Sequence, residues 1–141
     1  MSHNRGTASF TVFVFDLNSL KELNDKFGHE CGDLAITDVA KALKAVFGKD
    51  NLYRIGGDEF IAVFDGTKQP DPDRCFRELE EAMQSQSLAD RPYKAPLAIA
   101  KGVAAFRPGE DTEYRDVFRR ADNAMYKEKA AYYMAHDRRR H

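Results

Sequence analysis

The sequence predicts an α+β domain. Three observations indicate this class: a strongly apolar first segment, two short apolar segments on either side of a glycine turn, and apolar residues at helical spacing between and after them. The 141 residues, 43% of them hydrophobic, fit one globular domain with a full core. There is no internal repeat and no linker-like segment in the sequence. We therefore expect residues 1–141 to form a single domain.

Each element is predicted from its local composition. Residues 9–17 are rich in β-branched and aromatic side chains, which is typical of a buried strand. A short helix is predicted at 18–27 and a longer one at 31–48, where apolar residues recur at helical spacing and Gly48 ends the pattern. The remaining elements are strands at 51–55 and 60–64, a loop at 66–74, a helix at 75–88, a strand at 96–106 and a closing amphipathic helix at 111–134. This order satisfies a ferredoxin-like antiparallel sheet with helices on one face.

Composition argues against several functional classes. The formal net charge of −1 disfavours broad electrostatic capture of nucleic acid or of an acidic membrane. Two cysteines, Cys31 and Cys75, do not make a disulfide framework at this size, which favours a reducing compartment. No apolar run reaches the roughly 20 residues that span a bilayer, and the first ten residues lack an apolar signal core. We expect a cytoplasmic domain without membrane contact of its own, ending in a flexible basic tail at 134–141.

The stretch RIGGDEF, residues 54–60, raises the first chemical question. Glycine enters positive φ without steric cost, so Gly56 and Gly57 predict a tight hairpin turn. In the predicted sheet the first strand lies beside this hairpin, which brings Asp16 close to Asp58. Two such carboxylates can hold Mg²⁺ against a triphosphate, and a pair of ions about 3.5–4 Å apart can activate a hydroxyl and stabilise a leaving pyrophosphate. Taken alone, these residues also fit a plain turn and an Asp16 that caps the next helix.

The segment at 15–33 adds side chains of the types that bind a nucleotide. A carboxylate such as Asp33 accepts from guanine N1–H and the exocyclic amine, and the amide of Asn24 serves the other polar atoms of the base. Both residues could equally cap helices. Lys21 fits either a phosphate contact or a solvated lysine, so each residue taken singly is ambiguous.

Three separated motifs together resemble a known family: FDLNSLKELNDKFGHECGD, RIGGDEF and ADNAMYKEK, in this order and within residues 10–133. The chain is similar to the GGDEF domain of diguanylate cyclases, whose fold resembles the palm of nucleotide polymerases and adenylyl cyclases. The resemblance implies that two GTP molecules are condensed into cyclic di-GMP and two pyrophosphates, with each of two face-to-face domains holding one GTP. It also implies two Mg²⁺ or Mn²⁺ ions per active site and an obligatory homodimer.

The resemblance also assigns roles to individual residues. Asp16 and Asp58 would bind the metals, with the backbone carbonyl of Leu17 as a third ligand. Asp58 and Glu59 would assist deprotonation of the 3′-hydroxyl, and which of the two is the base stays open. The remaining roles divide by part of the nucleotide: Asn24 and Asp33 read guanine with His29 nearby, Gly56 and Gly57 leave room for the nucleotide, and Lys21, Lys129 and the backbone N–H groups of Ser19 and Leu20 contact phosphates.

The chain also departs from the family pattern. The product-inhibition motif Arg-x-x-Asp is replaced by FGKD, in which Phe47 stands for the arginine and Asp50 is kept. An aromatic ring cannot form a bidentate fork, so we expect no feedback inhibition through that site. Tyr133 stands where many members carry an arginine on the phosphates, so that contact is missing or made differently. The usual D-x-L-T stretch and its helix are absent, so we expect a fragment of a longer protein with an upstream sensory or receiver domain, such as the cytoplasmic part of a membrane-anchored sensor.

Three rival interpretations remain. The first is a catalytically silent GGDEF module that binds GTP and regulates a neighbour, although the signature residues of the active form are all present. The second is a related palm domain that makes cyclic oligoadenylates, which would not need Asn24 and Asp33. The third is relaxed base choice, and Asp33 argues against it because a carboxylate repels the acceptor N1 of adenine.

Overall fold

A computed structural model of the chain describes residues 9–66 and 69–137. Its elements, in chain order, are β1 (Phe10–Leu17), α1 (Leu20–Phe27), α2 (His29–Phe47), a 3₁₀ turn (Lys49–Asn51), β2 (Leu52–Arg54), β3 (Glu59–Asp65), α3 (Pro72–Gln84), β4 (Ile99–Ala105) and α4 (Tyr114–Asp137). The α+β class is confirmed, and every predicted strand and helix is present with its ends displaced by a few residues.

The four strands form one antiparallel sheet in the order β2-β3-β1-β4, which is the ferredoxin-like arrangement that the element order predicts. As an inner strand with apolar side chains on both faces, β1 is almost entirely buried. Its last residues pair with the first residues of both neighbours: Asp16 lies opposite Glu59 of β3 and opposite Ala100 of β4. The carboxyl end of β1 therefore lies between the first residues of β3 and the first residues of β4.

The helices pack on both faces of the sheet, so the expectation of helices on one face is wrong. Phe13 and Phe15 of β1 face a core that includes α2 and α3, whereas Val12 and Val14 face a second core built with α4. The cause is the composition of β1, because a strand that is apolar at both alternating positions needs cover on both sides. By the same alternation Asp16 belongs to the face that α4 covers.

Gly102 sets how closely α4 approaches the sheet. A Cβ placed on this glycine would lie 2.5 Å from the backbone nitrogen of Met125 and closer still to the backbone carbonyl of Ala121. The helix backbone therefore rests directly on β4, where only glycine leaves enough space. On the face of α4 that packs against the sheet, Val117, Ala121 and Met125 are fully buried, while Ala124 is half-buried.

A buried ion pair anchors the segment between α3 and β4. Asp38 of α2 accepts two hydrogen bonds from the Arg91 guanidinium, at 2.8 and 2.9 Å, and a further one from the Tyr93 hydroxyl. Its backbone carbonyl accepts from the Gln86 side chain at 2.7 Å. The Arg91 hydrogen bond outweighs burial and holds the pKa of Asp38 below its usual range. Asp38 thus holds the segment between α3 and β4 against α2.

Two further expectations can be compared with the structure. Cys31 and Cys75 are buried free thiols, as the absence of a disulfide framework predicts. The tail expected from residue 134 is wrong for its first part, because α4 continues to Asp137, and residues 138–141 lie outside the described residues. No helix within 9–66 or 69–137 has the length and apolar character needed to cross a membrane.

Candidate active site

The carboxylates predicted to hold metal lie side by side at one edge of the sheet. Asp16 is the penultimate residue of β1, and Asp58 immediately precedes β3. The backbone N–H of Leu17 donates to the carbonyl of Asp58 at 3.2 Å, which joins the end of β1 to the hairpin tip. The expected proximity of Asp16 and Asp58 is therefore confirmed, and it follows directly from the antiparallel register.

One oxygen of Asp16 is paired and the other is not. Asp16 is 7% exposed, and its Oδ2 accepts a hydrogen bond from Lys129 Nζ at 2.8 Å. Its Oδ1 is buried without a hydrogen-bond partner. Burial raises the pKa of Asp16 to about 6, the Lys129 hydrogen bond opposes this, and the charge of Asp58 adds to it. A buried carboxylate oxygen with no partner beside a second carboxylate is the chemistry that a divalent cation satisfies.

Lys129 reaches Asp16 from α4. Burial disfavours the charged form of its ammonium group, but the hydrogen bond to Asp16 and the charges of Asp16 and Asp58 raise its pKa above the usual value. Lys129 therefore stays protonated, a fixed positive charge at the carboxyl end of β1.

Glu59 belongs to a pair of carboxyl groups that sequence reasoning missed. Burial, followed by the charge of Asp122 and a hydrogen bond to it, raises the pKa of Glu59 to about 7. Two carboxyl groups can share a hydrogen bond only while one of them carries a proton. When both are ionised they cannot form this bond, and Asp122 Oδ1 is then buried without a partner. Asp122 lies in the ADNAMYKEK motif, two helical turns before Lys129 and on the same side of α4. That spacing is the signal that could have identified it.

Gly56 and Gly57 are at the hairpin tip, but the reason predicted for them is wrong. Neither glycine has φ in the left-handed region. The connection from β2 to β3 is four residues long, closed by the Ile55 N–H donating to the Glu59 carbonyl at 3.0 Å, and a turn of this length reverses without positive φ. Arg54, which sequence reasoning also missed, donates from its guanidinium to the carbonyls of both glycines. A Cβ on Gly57 would meet no atom within 4 Å, so the backbone beside Asp58 is open to an approaching ligand.

The predicted guanine-reading residues meet at the corner between α1 and α2. Gly28, at φ 94°, makes the sharp change of direction between the two helices. The Asn24 side chain then lies against Gly32, where a Cβ would be only 2.9 Å from Asn24 Cγ, and its Oδ1 is buried without a hydrogen-bond partner. Asp33, the next residue along α2, is exposed, and so is His29 at the start of α2. An unsatisfied amide oxygen beside an exposed carboxylate fits a ligand with several donors.

The predicted phosphate contacts lie between β1 and α1, and one of them is already occupied. The backbone N–H of Ser19 donates to the Tyr133 hydroxyl at 2.8 Å, so it is not free for a phosphate in this conformation. Leu20 is the half-buried first residue of α1, and Lys21 after it is exposed. Of the cations predicted to contact phosphates, Lys129 is therefore held at the carboxylates and Lys21 faces solvent.

The segment FGKD lies at the end of α2 and in the 3₁₀ turn that follows it. Phe47 is 3% exposed, and its ring packs on Phe13 and Phe15 with centroids 4.9 and 5.0 Å apart. Asp50 is exposed in the 3₁₀ turn after α2. The side chain at the position of the family arginine thus belongs to the core and cannot contact a ligand at the surface.

The chain is similar to known proteins over most of its length. The family model described as "Diguanylate cyclase, GGDEF domain" matches residues 1–134. The probable diguanylate cyclase DgcC of Escherichia coli (strain K12) is 33% identical over 130 residues, covering 92% of this chain and 34% of that protein. A diguanylate cyclase of Vibrio cholerae serotype O1 is 31% identical over 118 residues, covering 81% of this chain and 35% of that protein. The chain therefore spans about a third of the length of these curated relatives.

Solved structures show the same fold. The GGDEF domain of DgcB from Caulobacter crescentus, in complex with c-di-GMP, superposes with a TM-score of 0.77 at 26% sequence identity, covering 92% of this chain and 77% of that one. The active GGEEF domain of a diguanylate cyclase from Vibrio cholerae superposes with a TM-score of 0.68 at 28% identity, covering 89% of this chain and 80% of that one. With the family match over residues 1–134 and the paired carboxylates at the end of β1, the chain belongs to the GGDEF domain family of diguanylate cyclases.

Proposed function

We propose that this domain condenses two GTP molecules into cyclic di-GMP and two pyrophosphates. The observation that carries the proposal is the pair Asp16 and Asp58 at adjoining strand ends, with Asp16 Oδ1 buried and unpartnered while Lys129 holds its other oxygen. A buried carboxylate oxygen without a partner is costly, and a metal ion that accompanies the triphosphate would offset that cost.

The donor set fits two Mg²⁺ or Mn²⁺ ions. Within the described ranges no three His, Cys, Asp or Glu side chains form a ready-made metal centre. Mg²⁺ is usually held by one or two carboxylates together with substrate phosphates, which matches Asp16, Asp58 and the Leu17 carbonyl as ligands. Bound there, the ions would lower the pKa of the attacking hydroxyl and neutralise charge on the phosphates.

The residues around the carboxylates account for the remaining parts of the reaction. The 3′-oxygen of one GTP forms a bond to the α-phosphorus of the other, and the bond from that phosphorus to pyrophosphate breaks. The hydroxyl proton passes to Asp58 or to Glu59, whose raised pKa of about 7 is suited to accepting a proton near neutrality. Lys129 keeps positive charge beside the reacting phosphates.

The guanine base of GTP is bound at the corner between α1 and α2. The Asn24 amide, held against Gly32, and the Asp33 carboxylate meet the donors of the guanine edge, with His29 nearby. Adenine offers an acceptor at N1 where guanine offers a donor, so its binding would place two acceptors together.

Two copies of the domain are needed because each would hold one GTP and supply half of the cyclic product. Cyclisation requires two attacks of opposite direction, which a face-to-face homodimer provides by symmetry. Activity should therefore rise faster than linearly with protein concentration. The input that favours dimerisation would come from an upstream sensory or receiver domain.

We further propose that the product does not inhibit through the FGKD segment. The Phe47 ring is committed to the core, so the segment FGKD supplies no arginine to complete a site with Asp50 for a phosphate or a guanine edge. Added cyclic di-GMP should leave the initial rate unchanged. Tight binding of cyclic di-GMP that disappears in Asp50→Ala would contradict this.

The test of the main proposal is product formation from GTP and Mg²⁺, followed by mass spectrometry. Asp58→Asn and Asp16→Asn should lower the rate at least about a hundredfold, because charge stabilisation is lost. The matched control is Asp65→Asn, which changes an exposed carboxylate at the far end of β3 and should leave the rate unchanged. Tight GTP binding with no product, even after fusion to a dimerising partner, would instead indicate a regulatory GTP-binding module. Equal rates in Asp16→Asn and the unmodified domain would refute the assignment of the metal site.

A further inference from the structure

The contact between Tyr133 and Ser19 is not explained by the proposed reaction. Tyr133 lies one helical turn after Lys129 on α4, and its hydroxyl accepts the Ser19 backbone N–H at 2.8 Å. Adjacent to it, the Tyr132 hydroxyl lies 3.2 Å from Ser19 Oγ. The end of α4 is therefore fastened to the turn that leads from β1 into α1.

That turn is conformationally unusual. Within the described part of the chain, Ser19 is the one residue other than glycine with a positive φ, at 67°. Residues with a Cβ adopt this conformation at a cost and keep it where the surroundings hold it. Here it is held by the Tyr133 contact, and on the other side by the Asn18 N–H donating to the Ala98 carbonyl at 2.9 Å.

The Tyr133 oxygen is placed as a phosphate oxygen would be. It accepts from a backbone N–H at the start of a helix, and it lies close enough to Lys129 to contribute to the electrostatic environment of that ammonium group. The same lysine donates to Asp16 Oδ2, and the other oxygen of that carboxylate, Oδ1, is buried and unpartnered. The Tyr133 hydroxyl thus lies on a backbone donor and near the cation that holds the carboxylate proposed to bind metal.

We propose that the Tyr133 hydroxyl closes the phosphate site of the nucleotide-free domain, and that a triphosphate must displace it from the Ser19 N–H in order to bind. The inference rests on the proposed function, because it assigns the Ser19 N–H to the triphosphate. Tyr133 is then a positioning residue that lowers apparent affinity for the nucleotide, since only the fraction of molecules with the hydroxyl displaced can bind.

The magnitude follows from the contact. A neutral hydrogen bond of this kind changes an equilibrium by about two- to tenfold when it is removed. Tyr133→Phe removes the hydroxyl and keeps the ring, so the variant should bind triphosphate about two- to tenfold more tightly. The matched control is Tyr126→Phe, which removes the hydroxyl of an exposed tyrosine on the same helix.

The experiment measures binding and the contact separately. The probe is guanosine 5′-(α,β-methylene)triphosphate with Mg²⁺, which cannot release pyrophosphate because a carbon bridges its α- and β-phosphorus atoms; affinities come from calorimetry on the full chain. Amide NMR spectra recorded without nucleotide report on the Ser19 N–H. We expect Tyr133→Phe to shift the Ser19 amide resonance and to tighten binding, while Tyr126→Phe does neither.

Other outcomes overturn the proposal in distinguishable ways. Binding that is unchanged or weaker in Tyr133→Phe, with normal binding by the unmodified chain, refutes the displacement and leaves the proposed function intact. Weaker binding in particular would mean that the hydroxyl donates to a phosphate. An unmoved Ser19 amide resonance shows that the hydrogen bond is not formed. Failure of all three proteins to bind the probe overturns the inference together with the proposed function.

Discussion

Replacement of Gly102 by alanine should disturb stability and the active site together. The new Cβ would lie 2.5 Å from the Met125 nitrogen and closer to the Ala121 carbonyl, where ordinary contact begins at 3.4 Å. Because both atoms belong to the backbone of α4, no side chain can move aside, and the helix has to retreat from β4 by about 1 Å. Overpacking of this kind costs about 1–3 kcal/mol, and the backbone contacts place this site near the upper end. For a chain of this size that lowers the melting temperature by about 10 °C.

The same displacement moves Lys129. Lys129 lies one turn after Met125 on α4, and its 2.8 Å hydrogen bond to Asp16 leaves no slack for a shift of about 1 Å. A misplacement of that size can cost about a hundredfold in rate. Gly102→Ala should therefore lose cyclic di-GMP synthesis at temperatures where it is still folded.

The assay is thermal unfolding and product formation on Gly102→Ala, with Ala124→Gly as a diagnostic second change. The Ala124 Cβ is 3.0 Å from the added methyl, so removing it relieves only the weakest of the three contacts. Glycine in a helix is less stable than alanine, so the reference for the double variant is Ala124→Gly alone. The double variant should remain destabilised relative to that reference. A melting temperature within 1 °C of the unmodified chain, or full rescue by Ala124→Gly, would refute the reasoning that the helix backbone sets the contact.

Three further predictions concern other parts of the molecule. The raised pKa values of Asp16 (about 6) and Glu59 (about 7) mean that the folded protein binds these protons more tightly than the unfolded chain, so the stabilisation that these two groups contribute is full below about pH 4 and is lost between about pH 4 and 7. After allowance for solvent screening the loss is about 1–2 kcal/mol, measured as unfolding in EDTA at pH 5 and pH 8, and a higher stability at pH 8 would contradict it. Asp38→Asn should lower the melting temperature by about 5 °C or more, because the Arg91 guanidinium loses its charged partner; an unchanged value would show that the ion pair is dispensable. Phe47→Ala should cost about 3–5 kcal/mol in urea unfolding, and a loss below 1 kcal/mol would show that the ring is not a core residue.

The parts of the site that lie on strands could be predicted from the sequence. The proximity of Asp16 and Asp58 could be predicted because Asp16 lies at the end of an apolar strand and Asp58 immediately precedes the second strand of the hairpin. When these two strands pair antiparallel, few registers are possible, and the two carboxylates come together. The contacts made by α4 could not be predicted in the same way. Whether Asp122 meets Glu59 or Tyr133 meets Ser19 depends on how the helix crosses the sheet, and that is decided by its packing on Gly102.

Two of the three wrong expectations have the same origin. Helices were expected on one face because element order alone does not say which face the last helix covers, although β1 is apolar at both alternating positions. Positive φ was expected at Gly56 and Gly57 because the turn was taken as shorter than the four residues it contains. In both cases the elements were predicted correctly from their residue types. What the sequence pattern left undetermined was the face of the sheet that the last helix covers and the number of residues in the turn.

The arrangement divides the site into a fixed part and an adjustable part. β1 is clamped between two strands and two cores, so Asp16 cannot move without unfolding the sheet. Asp122, Lys129 and Tyr133, by contrast, share one helix at spacings of two turns and one turn, so a shift of α4 changes the Glu59 partner, the Asp16 partner and the Ser19 contact at once. Because α4 contacts Glu59, Asp16 and Ser19 together, it is the element through which a partner domain could alter the proposed catalysis without touching the sheet. For that reason Gly102→Ala, which acts on the middle of α4, and Tyr133→Phe, which acts near its C-terminal end, should change activity in opposite directions while Asp16 stays in place.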